Sequence, residues 1–123
     1  QKNFTTLRTK ARILELTGQT AEAAALMKEA LPMGGVTEIH QYARQLIAMK
    51  QPKEALSVFQ MNAKKNPNEF TTTMGVVRGY SATGDYKNAL KFAKAALPKA
   101  PDPNNRAALE SMIKTLEQGK DVN

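Results

Sequence analysis

Apolar residues recur along the chain at spacings of three and four, which is the period of an amphipathic helix. Leu7, Ala11 and Leu14 form one such stripe, and similar stripes follow in later segments. Runs of β-branched apolar residues are short, and "GVV" at 75–77 contains the longest of them. The pattern therefore predicts an all-α chain. The predicted helices lie at roughly 3–17, 20–33, 37–49, 52–65, 69–83, 86–98 and 103–118.

Residues with special backbone preferences mark the predicted helix ends. Gly18 and Gly84 follow the first and fifth helices, where a left-handed residue is needed to leave the helix. Thr20 and Asp85 are expected to be N-caps, and Pro52 suits the first turn of the helix that it opens. The links between these helices are short, so consecutive helices are predicted to pair antiparallel.

Three segments of the chain share one spacing. Each begins a helix with an early alanine, at Ala23, Ala55 and Ala89, which lie 32 and 34 residues apart. A proline follows the second and third of these by twelve residues, at Pro67 and Pro101. A period of this length is typical of repeated helix pairs that bury a shared core by stacking.

This pattern resembles the tetratricopeptide repeat, a helix–turn–helix unit of 34 residues. The third copy carries the resemblance best, through Tyr80, Gly84, Ala89, Ala96 and Pro101. Each copy lacks the family's early tryptophan, since the chain contains none. The resemblance implies an α-α superhelix of three helix pairs within one domain. We expect that domain to span 1–123, with repeats at about 4–35, 36–68 and 70–102 and a capping helix at about 103–118.

The last predicted helix carries an apolar stripe formed by Leu109, Met112, Ile113 and Leu116. A stack of repeats needs its exposed end covered, and an amphipathic helix with a polar back does this. We therefore expect a cap. The alternative is a docking helix for a partner domain.

Composition narrows the possible chemistry. The chain has no cysteine, which excludes disulfides, thiolate zinc sites and cysteine nucleophiles. It has one histidine, no glycine–lysine phosphate loop and no clustered acidic residues. We therefore expect no catalytic residue, metal site or cofactor, and we do not expect an enzyme. No apolar run is long enough to span a membrane, and no nucleic-acid signature accompanies the lysines.

Positive charge is concentrated in the middle of the chain. The formal net charge is +7, and residues 44–99 carry ten basic and only three acidic side chains. Such a field attracts anionic partners. The alternative is a charged surface that only favours solubility.

Arginine recurs eleven residues before each early alanine, as Arg12, Arg44 and Arg78. Arg8 and His40 lie one helical turn before the first two. In the resembling family the first helices line a concave groove, so the resemblance implies that these five residues face it. Guanidinium groups bind carboxylates in bidentate fashion. We therefore predict that they bind an acidic peptide or a neighbouring domain.

Two alternatives accompany this site. Each arginine could instead pair locally, as Arg12 could with Glu15 or Glu38. His40 could be an ordinary polar surface residue. The function predicted from the site is a non-catalytic protein- or peptide-binding scaffold. A regulatory or assembly domain of a larger enzyme is the alternative, and self-association is a weaker third role.

A second resemblance is carried by "NAKKNP", "RGYSATGDYKNALK" and "LEQGKDVN". These stretches are similar to the C-terminal region of exported bacterial proteins in which a β-rich domain of unknown function precedes a short repeat region. The resemblance implies a periplasmic or otherwise exported location, with a cytoplasmic one as the alternative. It also implies an upstream domain, and an opening Gln1 instead of Met is expected for a piece of a longer protein.

Overall fold

The computed structural model describes residues 2–123, and within that range it is all-helical with no strand. Gln1 lies outside the described residues. Within the described residues, seven α-helices and two short 3-10 helices follow one another. They are α1 Phe4–Leu16, α2 Thr20–Ala30, the 3-10 helix Leu31–Met33, α3 Val36–Ala48, α4 Pro52–Lys65, α5 Phe70–Ala82, α6 Tyr86–Ala96, the 3-10 helix Leu97–Lys99 and α7 Pro103–Glu117.

The predicted helices are confirmed, and no predicted bound differs from the observed one by more than three residues. The larger differences are at α2 and α6, which tighten into the two 3-10 helices before they end. Both of these short helices contain a proline near their start, Pro32 and Pro98. Proline has no N–H to donate to the preceding turn, so a regular α-helix cannot continue through it.

Local signals set the helix ends largely as expected. Gly18 and Gly84 have positive φ values of 84° and 85°, and the Asp85 side chain accepts a hydrogen bond from the backbone N–H of Asn88 at 3.2 Å. The prediction of Thr20 as an N-cap is wrong, because Gln19 holds that position and Thr20 is the first helical residue.

The reason for this difference is a register shared by the three copies. In each copy the early alanine donates its backbone N–H to the carbonyl oxygen four residues before it. The pairs are Ala23 to Gln19 at 3.1 Å, Ala55 to Gln51 at 3.0 Å and Ala89 to Asp85 at 3.1 Å. The N-cap position is therefore set by this backbone hydrogen bond, and different residue types occupy it in the three copies.

The described chain divides into two compact units. The first ends at Gly35 and the second spans Val36–Asn123. In the first unit α1 packs against α2, and the buried side chains include Phe4, Leu7 and Met27. This division falls at the predicted end of the first repeat, and the single-domain prediction stays a prediction.

In the second unit each helix packs against the next, and α3 also packs against α5. The early alanines Ala55 and Ala89 are fully buried. Leu109 and Leu116 of α7 are buried in a cluster with helices α5 and α6, and Met112 and Ile113 pack against it. The apolar stripe of α7 is therefore used inside this unit, and its role as a capping helix stays a prediction.

Helices α4 and α5 approach each other closely at two glycines of α5. A Cβ atom at Gly75 would lie 2.5 Å from a ring carbon of Phe59, and one at Gly79 would lie 2.9 Å from the Cα atom of Leu56. Real Cβ atoms do not come this near to neighbouring atoms, so the packing depends on glycine at both positions. The absence of a side chain at Gly75 also leaves room for the ring of His40, which packs beside Phe59.

Candidate functional site

The five predicted binding residues fall in both compact units. Arg8 and Arg12 belong to α1 in the first unit, whereas His40, Arg44 and Arg78 belong to the second. Arg12 makes a local ion pair, with 3.8 Å between its Nη1 atom and Oε2 of Glu15. The local alternative is therefore observed for Arg12. The contribution of Arg8 and Arg12 to a binding site stays a prediction.

His40, Arg44 and Arg78 come together in the second unit, and we call them the basic cluster. His40 and Arg44 lie one turn apart on α3, and Arg78 lies on α5, which packs against α3. The charges of both arginines reach His40 and disfavour its protonation. Burial, and then the nearby charge of Arg44, lower the pKa of the Arg78 guanidinium. The basic cluster thus holds two positively charged side chains close together, and one of them, Arg78, is half-buried.

His40 is not an ordinary surface residue, so that alternative is wrong. Its ring packs on Phe59, with the two ring centroids 5.4 Å apart. Its Nδ1 atom is buried and has no hydrogen-bond partner within residues 2–123. Burial, followed by the charges of Arg44 and Arg78, lowers the pKa of His40 to about 4. The imidazole is therefore neutral at neutral pH, and the positive charge of the cluster comes from the arginines.

Neither Arg44 nor Arg78 has a carboxylate within 4.0 Å in the part of the chain that the structure describes. Arg44 is exposed and Arg78 is half-buried. The local pairing considered for all three arginines is thus absent for these two. Two guanidinium groups that act on each other without a counterion favour the binding of an anion.

A cavity of about 320 Å³ opens beside the two arginines. Its walls combine their charge with aliphatic surface. The lining residues are Arg44, Ile47, Ala48, Arg78, Val122 and Asn123. A ligand that suits these walls carries a carboxylate next to an apolar group.

A larger depression, of about 490 Å³, lies elsewhere in the second unit. Its lining includes Glu69 and Lys99, one charge of each sign, with Phe70 and Pro101 nearby. The positive and negative side chains of this depression therefore balance, whereas the charged side chains that line the cavity at the basic cluster are all positive. We assign no ligand to the depression.

Residues 121–123, which we call the tail segment, contribute to the site although sequence reasoning missed them. The hydroxyl of Ser81 donates a hydrogen bond to Oδ1 of Asp121 at 2.6 Å and accepts one from the backbone N–H of Val122 at 2.9 Å. The side-chain amide of Asn123 donates to the carbonyl oxygen of Arg78 at 3.0 Å. No sequence signal indicates these contacts, because they join residues some forty positions apart.

Comparison of the chain with protein-family models, with curated proteins and with solved structures found no match. Within residues 2–123, no group of three or more histidine, aspartate or glutamate side chains is placed to hold a metal ion. In the same range no helix combines the length and apolar character that crossing a bilayer requires.

Proposed function

We propose that this protein is a non-catalytic binding module, and that the basic cluster holds a carboxylate of an acidic peptide or of a neighbouring domain. The observation that carries the proposal is the pair Arg44 and Arg78, which lack a counterion among residues 2–123 and share a cavity with aliphatic walls. An arginine fork matches the two oxygens of a carboxylate, which makes such pairs both strong and directional.

The electrostatics of the cluster support an anionic ligand. Burial and the charge of Arg44 both work against the charged form of Arg78. A carboxylate between the two guanidinium groups would relieve this repulsion, and partial burial would strengthen the attraction relative to bulk water. His40 stays neutral and can donate or accept one hydrogen bond through the ring nitrogen that is not buried.

The shape of the cavity supports a peptide in preference to a small inorganic ion. Ile47 and Ala48 supply apolar walls that a phosphate or sulfate would leave unused. A volume near 320 Å³ is at the small end of the range for ligand pockets, so it suits one or two side chains of an extended peptide. The proposed ligand therefore presents an acidic side chain beside an aliphatic one.

We also propose that the three helix pairs are tetratricopeptide-like and stack as a superhelix. Recurrent early alanines and the shared backbone register at Gln19, Gln51 and Asp85 support this arrangement. A part for Arg8 and Arg12 in binding stays a prediction from the resemblance. The roles of an enzyme's regulatory or assembly domain and an exported location stay predictions.

The test of the binding function is a double substitution, Arg44→Gln with Arg78→Gln. We expect the affinity for a short fluorescent peptide of alternating glutamate and leucine to fall at least about tenfold, because charge-assisted hydrogen bonds are lost. Fluorescence anisotropy measures the affinity, and a lysine–leucine peptide tests the sign of the charge.

The matched control is Lys64→Gln with Lys91→Gln, which removes two exposed positive charges from α4 and α6 of the same unit. It should retain most of the affinity if position matters more than net charge. Equal losses in the two double variants, or no binding of the acidic peptide by the original protein, would contradict the proposal.

A further inference from the structure

The tail segment lies against the same helix that carries Arg78. Val122 packs on the apolar cluster of the second unit and also lines the cavity beside the arginines. Asn123 bonds to the backbone of Arg78 and lines the same cavity. The chain thus places two of its own residues, Val122 and Asn123, in the wall of the cavity that a bound peptide would use.

The contacts of the tail segment are of the kind that a bound peptide makes. The backbone N–H of Val122 donates to the hydroxyl of Ser81, and the Val122 side chain packs against the apolar cluster of the second unit. A carboxylate, that of Asp121, accepts from Ser81, which is buried. The Asp121 carboxylate reaches Ser81 and not the arginines, so the tail segment occupies the wall without neutralising the basic cluster.

We infer that residues 121–123 act as an internal competitor, which a peptide bound at the basic cluster must displace. This inference rests on the proposed function. Asp121 and Asn123 are exposed, and three hydrogen bonds join the segment to α5. A short segment held by few contacts is released easily, and its attachment to the same chain keeps its effective concentration high.

The competitor sets the apparent affinity of the site. A ligand that binds only when the tail segment is released has its affinity reduced by the fraction of molecules in which the segment is released. A segment that is docked in most molecules therefore weakens peptide binding, and a segment that cannot dock leaves the full affinity. The direction is opposite to that expected if Val122 and Asn123 were simply part of the binding surface.

The test is the double variant Asp121→Ala with Asn123→Ala in the full chain. The probe is the glutamate–leucine peptide, and anisotropy gives its dissociation constant. We expect affinity to rise about tenfold, as follows if roughly nine in ten molecules have the segment docked. The matched control is Glu110→Ala with Asn104→Ala. It removes one carboxylate and one amide from the exposed surface of α7 and should leave the affinity within about twofold, since the charge lost is exposed and screened by solvent.

Four outcomes are distinguishable. Tighter binding by the tail variant alone supports the inference. Unchanged or weaker binding by the tail variant overturns the inference and leaves the proposed function standing. No binding of the probe by any of the three proteins overturns the proposed function and the inference with it. An equal gain in the control and the tail variant assigns the effect to net charge and also overturns the inference.

Discussion

Lys50 holds a backbone conformation that two other copies of the repeat leave to glycine. Its φ is 61°, and the corresponding residues Gly18 and Gly84 have φ values of 84° and 85°. A side chain in the left-handed region costs about 1–2 kcal/mol, because its Cβ atom crowds the backbone. We expect Lys50→Gly to raise the free energy of unfolding by about 0.5–1 kcal/mol, after the greater freedom of glycine in the unfolded chain is subtracted. Urea denaturation measures the change.

The control for this prediction is Lys50→Ala. Alanine removes the charge and the long side chain but keeps the Cβ atom, so the backbone crowding remains. We expect no gain in stability from it. A gain of equal size in both variants would mean that the charge of Lys50, and not its backbone angle, is the source of the effect.

Asn62 shows what a repeat pattern leaves open at the scale of one residue. The other two copies place alanine there, Ala30 and Ala96, and all three residues are buried. The pattern indicates a small buried residue. It does not reveal that the Asn62 amide donates to the carbonyl oxygen of Val36 at 3.0 Å, or that its oxygen accepts from Asn66 at 2.9 Å. These bonds depend on which backbone groups the fold brings within reach.

At the scale of the helices, the close approach of α4 and α5 can be tested at Gly79. A Cβ atom there would lie 2.9 Å from the Cα atom of Leu56 and 3.1 Å from the ring of Phe59. Alanine is the better helix former by about 1 kcal/mol, but the backbone of α4 cannot move aside as a flexible side chain could. We expect Gly79→Ala to lower the free energy of unfolding by about 1–3 kcal/mol, as measured by thermal and urea unfolding.

Thr71→Ala is the matched control on the same helix. Thr71 is exposed, so this substitution improves helix propensity without crowding, and stability should stay equal or rise by a few tenths of a kcal/mol. If Gly79→Ala also proved neutral or stabilising, the two helices would not be held together as tightly as the structure indicates.

The helices could be predicted well because each end carries its own local signal. Gly84 follows α5 with a positive φ, and Asp85 caps the start of α6. Asp102 caps α7 by accepting a hydrogen bond from the backbone N–H of Asn105. The binding site was harder to predict, because its arginines recur with a period whereas its other contacts join residues far apart in the sequence. The recurring arginines were visible as a period. The tail segment was not, because its contacts with Ser81 span forty residues and leave no pattern.

At the scale of the whole molecule, the excess of positive charge at 44–99 predicts only that the chain attracts anions. The structure narrows this statement, because it shows which charges lack partners. Lys94 pairs with Glu117 at 3.8 Å, whereas Arg44 and Arg78 have no carboxylate within reach among the described residues. An excess of positive charge therefore indicates a candidate anion-binding site only where the fold leaves neighbouring positive side chains without an acidic partner.

The stability of the molecule should fall in mild acid because of His40, the only histidine in the chain. Its pKa is about 4 in the folded protein, against 6.5 for the free side chain, because burial and the charges of Arg44 and Arg78 oppose protonation. Between these two values the unfolded chain binds a proton that the folded chain does not. Stability is therefore fully present above 6.5 and is lost as the pH falls towards 4. We expect a loss of about 1 kcal/mol between pH ~7.5 and pH ~5, after allowance for partial solvent screening.

The variant His40→Gln isolates this effect, because glutamine is uncharged at both pH values and fits the same half-buried place. Urea unfolding at the two pH values should show a smaller loss for the variant. Asp85, Asp102 and Asp121 have lowered pKa values, held down by hydrogen bonds from neighbouring residues, so their contributions are lost only in stronger acid. The same loss in the variant and the original protein would show that His40 is protonated as easily in the folded state as in the unfolded one. It would then contradict the burial of this imidazole as well as the effect of the Arg44 and Arg78 charges on it.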